Sequence, residues 1–141
     1  MTSSLETILY TAHTHTTGGR NGSGRTDDGA LELALSPPGS GRPGTNPEQL
    51  FGIGYSACFI GALQLAAGKL NVKLPADTAV DADVSLGKTH GDADFQLAVT
   101  LNIHLPGLDP ALRRQLVEAE HRTCPYSRMT RGYVEVDLAI A

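Results

Sequence analysis

Two cysteines, Cys58 and Cys124, are the residues of this chain whose type could carry out chemistry, and their surroundings differ. A thiol attacks only as the thiolate, so its pKa sets how much nucleophile is present. Cys58 lies within Leu50 to Ala67, a stretch with no charged residue. Burial in such a stretch raises a thiol's pKa, so a reacting Cys58 needs a fixed positive charge brought to it. Taken from that stretch alone, Cys58 reads as a small hydrophobe filling a core. Arg20 is the candidate cation. It sits in a glycine-dense segment that lets backbone approach closely, and its guanidinium stays charged and can hold a carboxylate and a thiolate together. Glu48 supplies a carboxylate able to orient that arginine.

Other chemical groupings are weaker. His13 and His15 alternate along a β-prone run and would share one face, but no Cys, Asp or Glu lies close in sequence to complete a metal site. A structural zinc held by Cys58, Cys124 and His121 lacks any paired-ligand spacing, so no metal is expected. The glycines from Gly18 to Gly29 do not form a phosphate loop, because no Lys-Ser/Thr follows them and no strand-to-helix context surrounds them.

The element that must position Cys58 is a helix, expected from about Pro47 to about Lys69. Asn46 suits a cap, Pro47 the first helical position and Glu48 the positive end of the helix dipole. The helix is apolar or small on every face from Leu50 to Ala67, which predicts burial all round. Its length touches the lower edge of a membrane span, but Gly52, Gly54, Ser56, Gly61 and Gln64 dilute it and no basic flank orients it, so no membrane insertion is expected.

Around that helix the pattern predicts a strand over Thr7 to Thr17, a hairpin-like excursion over Gly18 to Gly29, a strand over Leu31 to Leu35 and a loop from Ser36 to Thr45. Thr78 to Lys88 and Phe95 to Leu105 alternate and read as an antiparallel hairpin turning at Thr89 to Asp94. Asp109-Pro110 opens a helix from Ala111 to about Arg122, with Leu112, Leu116 and Val117 inward and Arg113, Arg114, Glu118 and Glu120 facing water. Cys124-Pro125-Tyr126-Ser127 breaks it, and Tyr133 to Ile140 closes as a strand. Strands separated by helices without strict alternation indicate an α+β fold, expected to be a single domain over 1–141.

Composition narrows the partners. The chain has 141 residues and a formal net charge of −4, which argues against a nucleic-acid partner that needs phosphate neutralised. Tryptophan is absent and aromatics are 5%, so base-stacking platforms are not available. The opening Met-Thr-Ser-Ser-Leu-Glu has no basic segment followed by an apolar run, so no secretory signal is expected and the cytoplasm is the expected location. Two cysteines in a reducing compartment are seldom a structural staple, which shifts weight toward chemistry.

Five segments in order carry a resemblance. They are Gly19-Arg20-Asn21-Gly22, Gly24-Arg25-Thr26-Asp27-Asp28-Gly29, Gly44-Thr45-Asn46-Pro47-Glu48-Gln49-Leu50-Phe51, Gly54-Tyr55-Ser56-Ala57-Cys58-Phe59, and Cys124-Pro125-Tyr126-Ser127 with Thr130-Arg131-Gly132. Together they resemble the organic hydroperoxide resistance (Ohr) branch of the OsmC/Ohr superfamily, over essentially the whole chain. The resemblance implies antiparallel sheets wrapped around a long buried central helix in an intertwined homodimer. It also implies a thiol-dependent peroxidase with Cys58 as peroxidatic cysteine, Cys124 as resolving cysteine, and Arg20 and Glu48 as the polar pair at the thiolate. No bound cofactor is implied. The implied reductant is an external dithiol, a lipoyl group carried on a protein, and the implied substrate is an organic hydroperoxide. Phe51, Tyr55, Phe59 and Tyr126 are the expected lining of an apolar substrate pocket. The competing reading is a non-catalytic dimeric domain that binds small apolar molecules, with Cys58 as filler.

Helix geometry adds one constraint. Glu48 and Cys58 are ten residues apart, roughly 15 Å along a straight helix at 1.5 Å per residue, so they cannot meet on it. Either the segment bends sharply near Gly52-Ile53-Gly54, or Glu48 serves the thiol of a partner subunit. The second is the expectation.

Overall fold

A computed structural model describes residues 4–92 and 94–141. Met1 to Ser3 of the opening segment and Ala93 of the turn at Thr89 to Asp94 lie outside the described residues. The chain forms two compact units, Met1–Pro47 and Glu48–Ala141.

In the first unit, β1 (Thr14–Thr17), β2 (Ser23–Thr26) and β3 (Glu32–Ala34) form an antiparallel sheet in chain order. The expected strand over Thr7 to Thr17 is therefore shorter, and the glycine-dense segment contains a strand of its own, β2. The pairing explains both. Thr14 to Thr17 face Ser23 to Thr26 residue by residue, whereas Ile8, Leu9 and Tyr10 are exposed. Between β1 and β2 the chain makes a single 3-10 turn, Gly19–Asn21, that presents Arg20. Gly18 enters it at φ 75°, and a Cβ on Gly22 would fall 1.7 Å from the Thr17 carbonyl oxygen. Glycine at these two positions is what lets the turn close.

The second unit carries the longer elements. The helix α1 spans Pro47–Lys69, as its sequence predicts, and runs unbroken through Gly52-Ile53-Gly54. Strands β4 (Ala79–Lys88) and β5 (Phe95–His104) pair antiparallel along their whole length, Ala79 opposite His104 and Lys88 opposite Phe95. Helix α2 (Pro110–Thr123) starts at Asp109, whose carboxylate accepts from the Ala111 and Leu112 N–H groups at 3.0 and 3.3 Å. A short helix α3 (Pro125–Thr130), absent from the sequence expectation, follows, and β6 (Glu135–Ile140) ends the unit. β6 lies parallel to β5, so this sheet is mixed rather than antiparallel throughout. Two helices lie between β5 and β6, a crossover long enough to return the chain in the same direction.

The core joins α1 to this sheet and to α2. Tyr55, Phe59, Leu63 and Ala67 of α1 pack with Val99, Leu101 and Ile103 of β5 and Leu116 and Val117 of α2. Each large apolar side chain so buried contributes roughly 1.5–3 kcal/mol. The expected all-round burial of α1 is not what one chain provides. Its buried stripe is Gly52, Tyr55, Phe59, Leu63 and Ala67, while Ile53 and Leu65 are 71% and 72% exposed. One sheet can cover only one face of a helix, and the uncovered face here is equally apolar. By length and composition α1 could cross a membrane; its aromatic stripe instead packs on the sheet.

Candidate active site

Cys58 sits one residue before Phe59, so it points about 100° around α1 from the buried stripe and is half-buried at the edge of the core. Cys124 is completely buried between α2 and α3. Pro125 explains that placement, because a residue before proline is excluded from the helical region. Cys124 accordingly has φ −56° and ψ 126°, which ends α2, while Pro125 starts α3. The chain turn so formed points Cys124 at α1, and the two sulfurs lie 3.5 Å apart. Both are thiols, and a disulfide needs about 2.05 Å, so closing one requires a shift of only about 1.5 Å.

The environment of Cys58 pulls in two directions. Burial pushes its pKa up most, the Tyr126 backbone N–H donates to the sulfur and pulls it down, and Cys124 raises it, first through the hydrogen bond between the two thiols and then through charge repulsion. Burial of the thiol outweighs the single N–H, so the net shift of Cys58 is upward.

A cleft of about 760 Å³ opens beside Cys58. From α1 it is lined by Gly61, Ala62, Leu65, Ala66 and Lys69, and from α2 by Leu116, Ala119, Glu120 and Thr123. Phe51, Tyr55, Phe59 and Tyr126 do not line it. Tyr55 and Phe59 are wholly buried, and Phe51, Tyr55 and Tyr126 form a ring cluster with centroids 5.7 Å apart. Gly54 makes room for that cluster, since a Cβ there would meet the Tyr126 hydroxyl at 2.9 Å. Position along the helix axis accounts for the difference. The cleft takes residues three to eleven positions beyond Cys58, toward the C-terminal end of α1, whereas Phe51 and Tyr55, seven and three positions before it, pack against Tyr126.

Glu120, expected to face water, is instead 6% exposed, with its carboxylate accepting from Thr123 Oγ1 at 2.8 Å. The side of α2 that carries it faces the cleft. His121, considered in the sequence only as a zinc ligand, is hydrogen bonded through Nδ1 to Ser127 Oγ at 3.0 Å. Among the described residues no three His, Cys, Asp or Glu side chains are grouped closely enough to hold a metal ion.

Arg20 is exposed in its turn in the first unit, and Glu48 is partly buried in the first turn of α1 in the second. Because α1 is continuous, Glu48 and the Cys58 of its own chain are separated by about 15 Å along the axis.

Comparison with known proteins agrees across sequence and structure. Residues 38–139 match the family model described as OsmC-like protein. An organic hydroperoxide resistance protein of Xanthomonas axonopodis pv. citri is 46% identical over 98% of this chain and 99% of its own length. The crystal structure of the organic hydroperoxide resistance protein OhrB of Bacillus subtilis superposes with a TM-score of 0.88 at 42% identity, covering 95% of this chain and 100% of that one. One from Legionella pneumophila gives 0.88 at 40% identity, over 96% and 99% of the two chains. Family-model match, near full-length identity and fold together establish that the chain belongs to the organic hydroperoxide resistance branch of the OsmC/Ohr superfamily.

Proposed function

We propose that this chain is a thiol-dependent peroxidase that reduces organic hydroperoxides to alcohols, acting as a homodimer in the reducing cytoplasm. The observation that carries the reading is the 3.5 Å separation of the Cys58 and Cys124 sulfurs beside a largely apolar cleft. The relatives named for organic hydroperoxide resistance support the substrate class.

The chemistry is two successive displacements at sulfur. The Cys58 thiolate attacks the distal oxygen of the hydroperoxide; an S–O bond forms, the O–O bond breaks, and the alkoxide takes a proton and leaves as the alcohol. Cys58 is then a sulfenic acid. The Cys124 thiolate attacks that sulfur, an S–S bond forms, the S–O bond breaks, and water departs. An external dithiol returns two electrons and two protons by exchange, first through a mixed disulfide. A protein-bound dihydrolipoyl group is the proposed donor.

Burial raises the Cys58 pKa, so the first step depends on a cation, and Arg20 is the proposed source. Its guanidinium would both stabilise the thiolate and donate hydrogen bonds to the departing alkoxide. Glu48 would hold that guanidinium in register, and the unbroken α1 supports its doing so for the Cys58 of the partner subunit. The uncovered apolar face of α1, with Ile53 and Leu65 exposed, supports a second copy packing there.

Turnover tests the proposal. With tert-butyl hydroperoxide as substrate and dihydrolipoamide as the only reductant, the protein is expected to consume many equivalents, and monothiol glutathione should sustain far less. Failure of any dithiol to support consumption would remove the peroxidase reading.

A further inference from the structure

The hydroxyl of Ser127 joins three helices at one atom. It is completely buried, 2.6 Å from the Tyr55 hydroxyl on α1 and 3.0 Å from His121 Nδ1 on α2, and it belongs to α3. A hydroxyl has one proton to donate, which orders the chain. Thr130 Oγ1 donates to the Ser127 carbonyl at 3.1 Å. Burial, reinforced by the Arg131 charge, favours a neutral His121, whose tautomer then sets the direction of the chain. With the proton on Nε2, Tyr55 donates to Ser127 and Ser127 to His121; with it on Nδ1 the order reverses, and either way the same three helices are joined. Arg131 at the end of α3 also donates to the His121 carbonyl, tying the same two helices again.

What this network secures is the segment that serves Cys58. Ser127 follows directly on Tyr126, whose backbone N–H donates to the Cys58 sulfur, and lies three residues after Cys124. We propose that Ser127 is a positioning residue, which through Tyr55 and His121 clamps the Cys124–Ser127 turn against α1 and so sets how readily Cys58 and Cys124 join. Neither Ser127 nor Tyr55 touches a reacting atom in this role. The inference takes its importance from the peroxidase reading but concerns the thiol pair itself, so it is testable without hydroperoxide.

The test equilibrates the full-length protein with mixtures of reduced and oxidised glutathione, then traps free thiols by alkylation and counts disulfide by intact mass. In that equilibrium Cys58 thiolate attacks glutathione disulfide and releases one glutathione. Cys124 thiolate then displaces the second, so the protein dithiol is oxidised and one glutathione disulfide becomes two thiols. Ser127→Ala is expected to lower the effective concentration of the two thiols about tenfold, the scale of one buried hydrogen bond. Tyr55→Phe, which keeps the ring and removes only the hydroxyl, should lower it in the same direction. The double variant should fall no further than Ser127→Ala, because both changes break one chain. A general loss of packing would add instead. Wild-type disulfide equilibrium in Ser127→Ala, or in Tyr55→Phe should Ser127→Ala fail to fold, overturns the proposal, as does an additive double variant. A wild-type protein that reaches its disulfide with glutathione but consumes no hydroperoxide would contradict the peroxidase reading alone.

Discussion

Cys58→Ser is expected to abolish hydroperoxide consumption, while Cys124→Ser consumes about one equivalent and then stops as a sulfenic acid or over-oxidises. The asymmetry follows from placement. Cys58 is half-buried and lines the cleft, whereas Cys124 is completely buried behind it and reaches only the other sulfur. A serine at 58 offers a hydroxyl with no anion at working pH and no route to a sulfenic acid. A serine at 124 leaves the first displacement intact and removes the second. Stopped-flow consumption of a hydroperoxide, counted in equivalents per subunit without reductant, measures both. Equal loss of the first equivalent in the two variants would show that the roles are wrongly divided.

The second large effect concerns subunits mixed in one dimer. Glu48→Ala is expected to lower activity on the order of a hundredfold by releasing the arginine from its geometry, and Cys58→Ser to abolish it. If Glu48 serves the partner's thiol, a heterodimer of the two variants contains one site in which Cys58 and Glu48 are both wild-type. Random mixing gives half heterodimers with one working site of two, so the mixture should recover about a quarter of wild-type activity. Activity no higher than the sum of the two parents would mean that Glu48 acts within its own chain or has no part in the reaction.

Much of the architecture was legible because local signals and tertiary packing agree. Pro47 and Glu48 mark the start of α1 and Lys69 its last turn, and the alternation of Val80, Ala82 and Val84 against Leu97, Val99 and Leu101 marks the β4–β5 hairpin. Where partners decide, the sequence was silent. β2 is Ser-Gly-Arg-Thr, with no apolar alternation to announce it, and exists because β1 and β3 flank it. The run from Thr7 to His13 is β-prone, yet the sheet begins at Thr14. α3 was hidden by its own start signal, since Pro125 reads as a helix breaker after α2 and as a first helical residue before α3.

The site was legible in its chemistry more than in its surroundings. Cys58 and Cys124 are 66 residues apart, and only the fold brings their sulfurs to 3.5 Å. The aromatic residues near Cys58 suggest a pocket by character, but packing against Tyr126 and the core draws them in, and the cleft is lined by Ala62, Leu65 and Ala66. Ser127 and His121 carry no motif that marks a hydrogen-bond junction; their roles depend on where three helices meet.

The most direct test of the peroxidase mechanism is intact mass of the reduced protein after one equivalent of an organic hydroperoxide and an acid quench. The mechanism predicts a loss of about 2 Da, two hydrogens, with both Cys58 and Cys124 protected from alkylation. An unchanged mass with both thiols still alkylated would contradict it and favour a domain that binds apolar molecules without reacting.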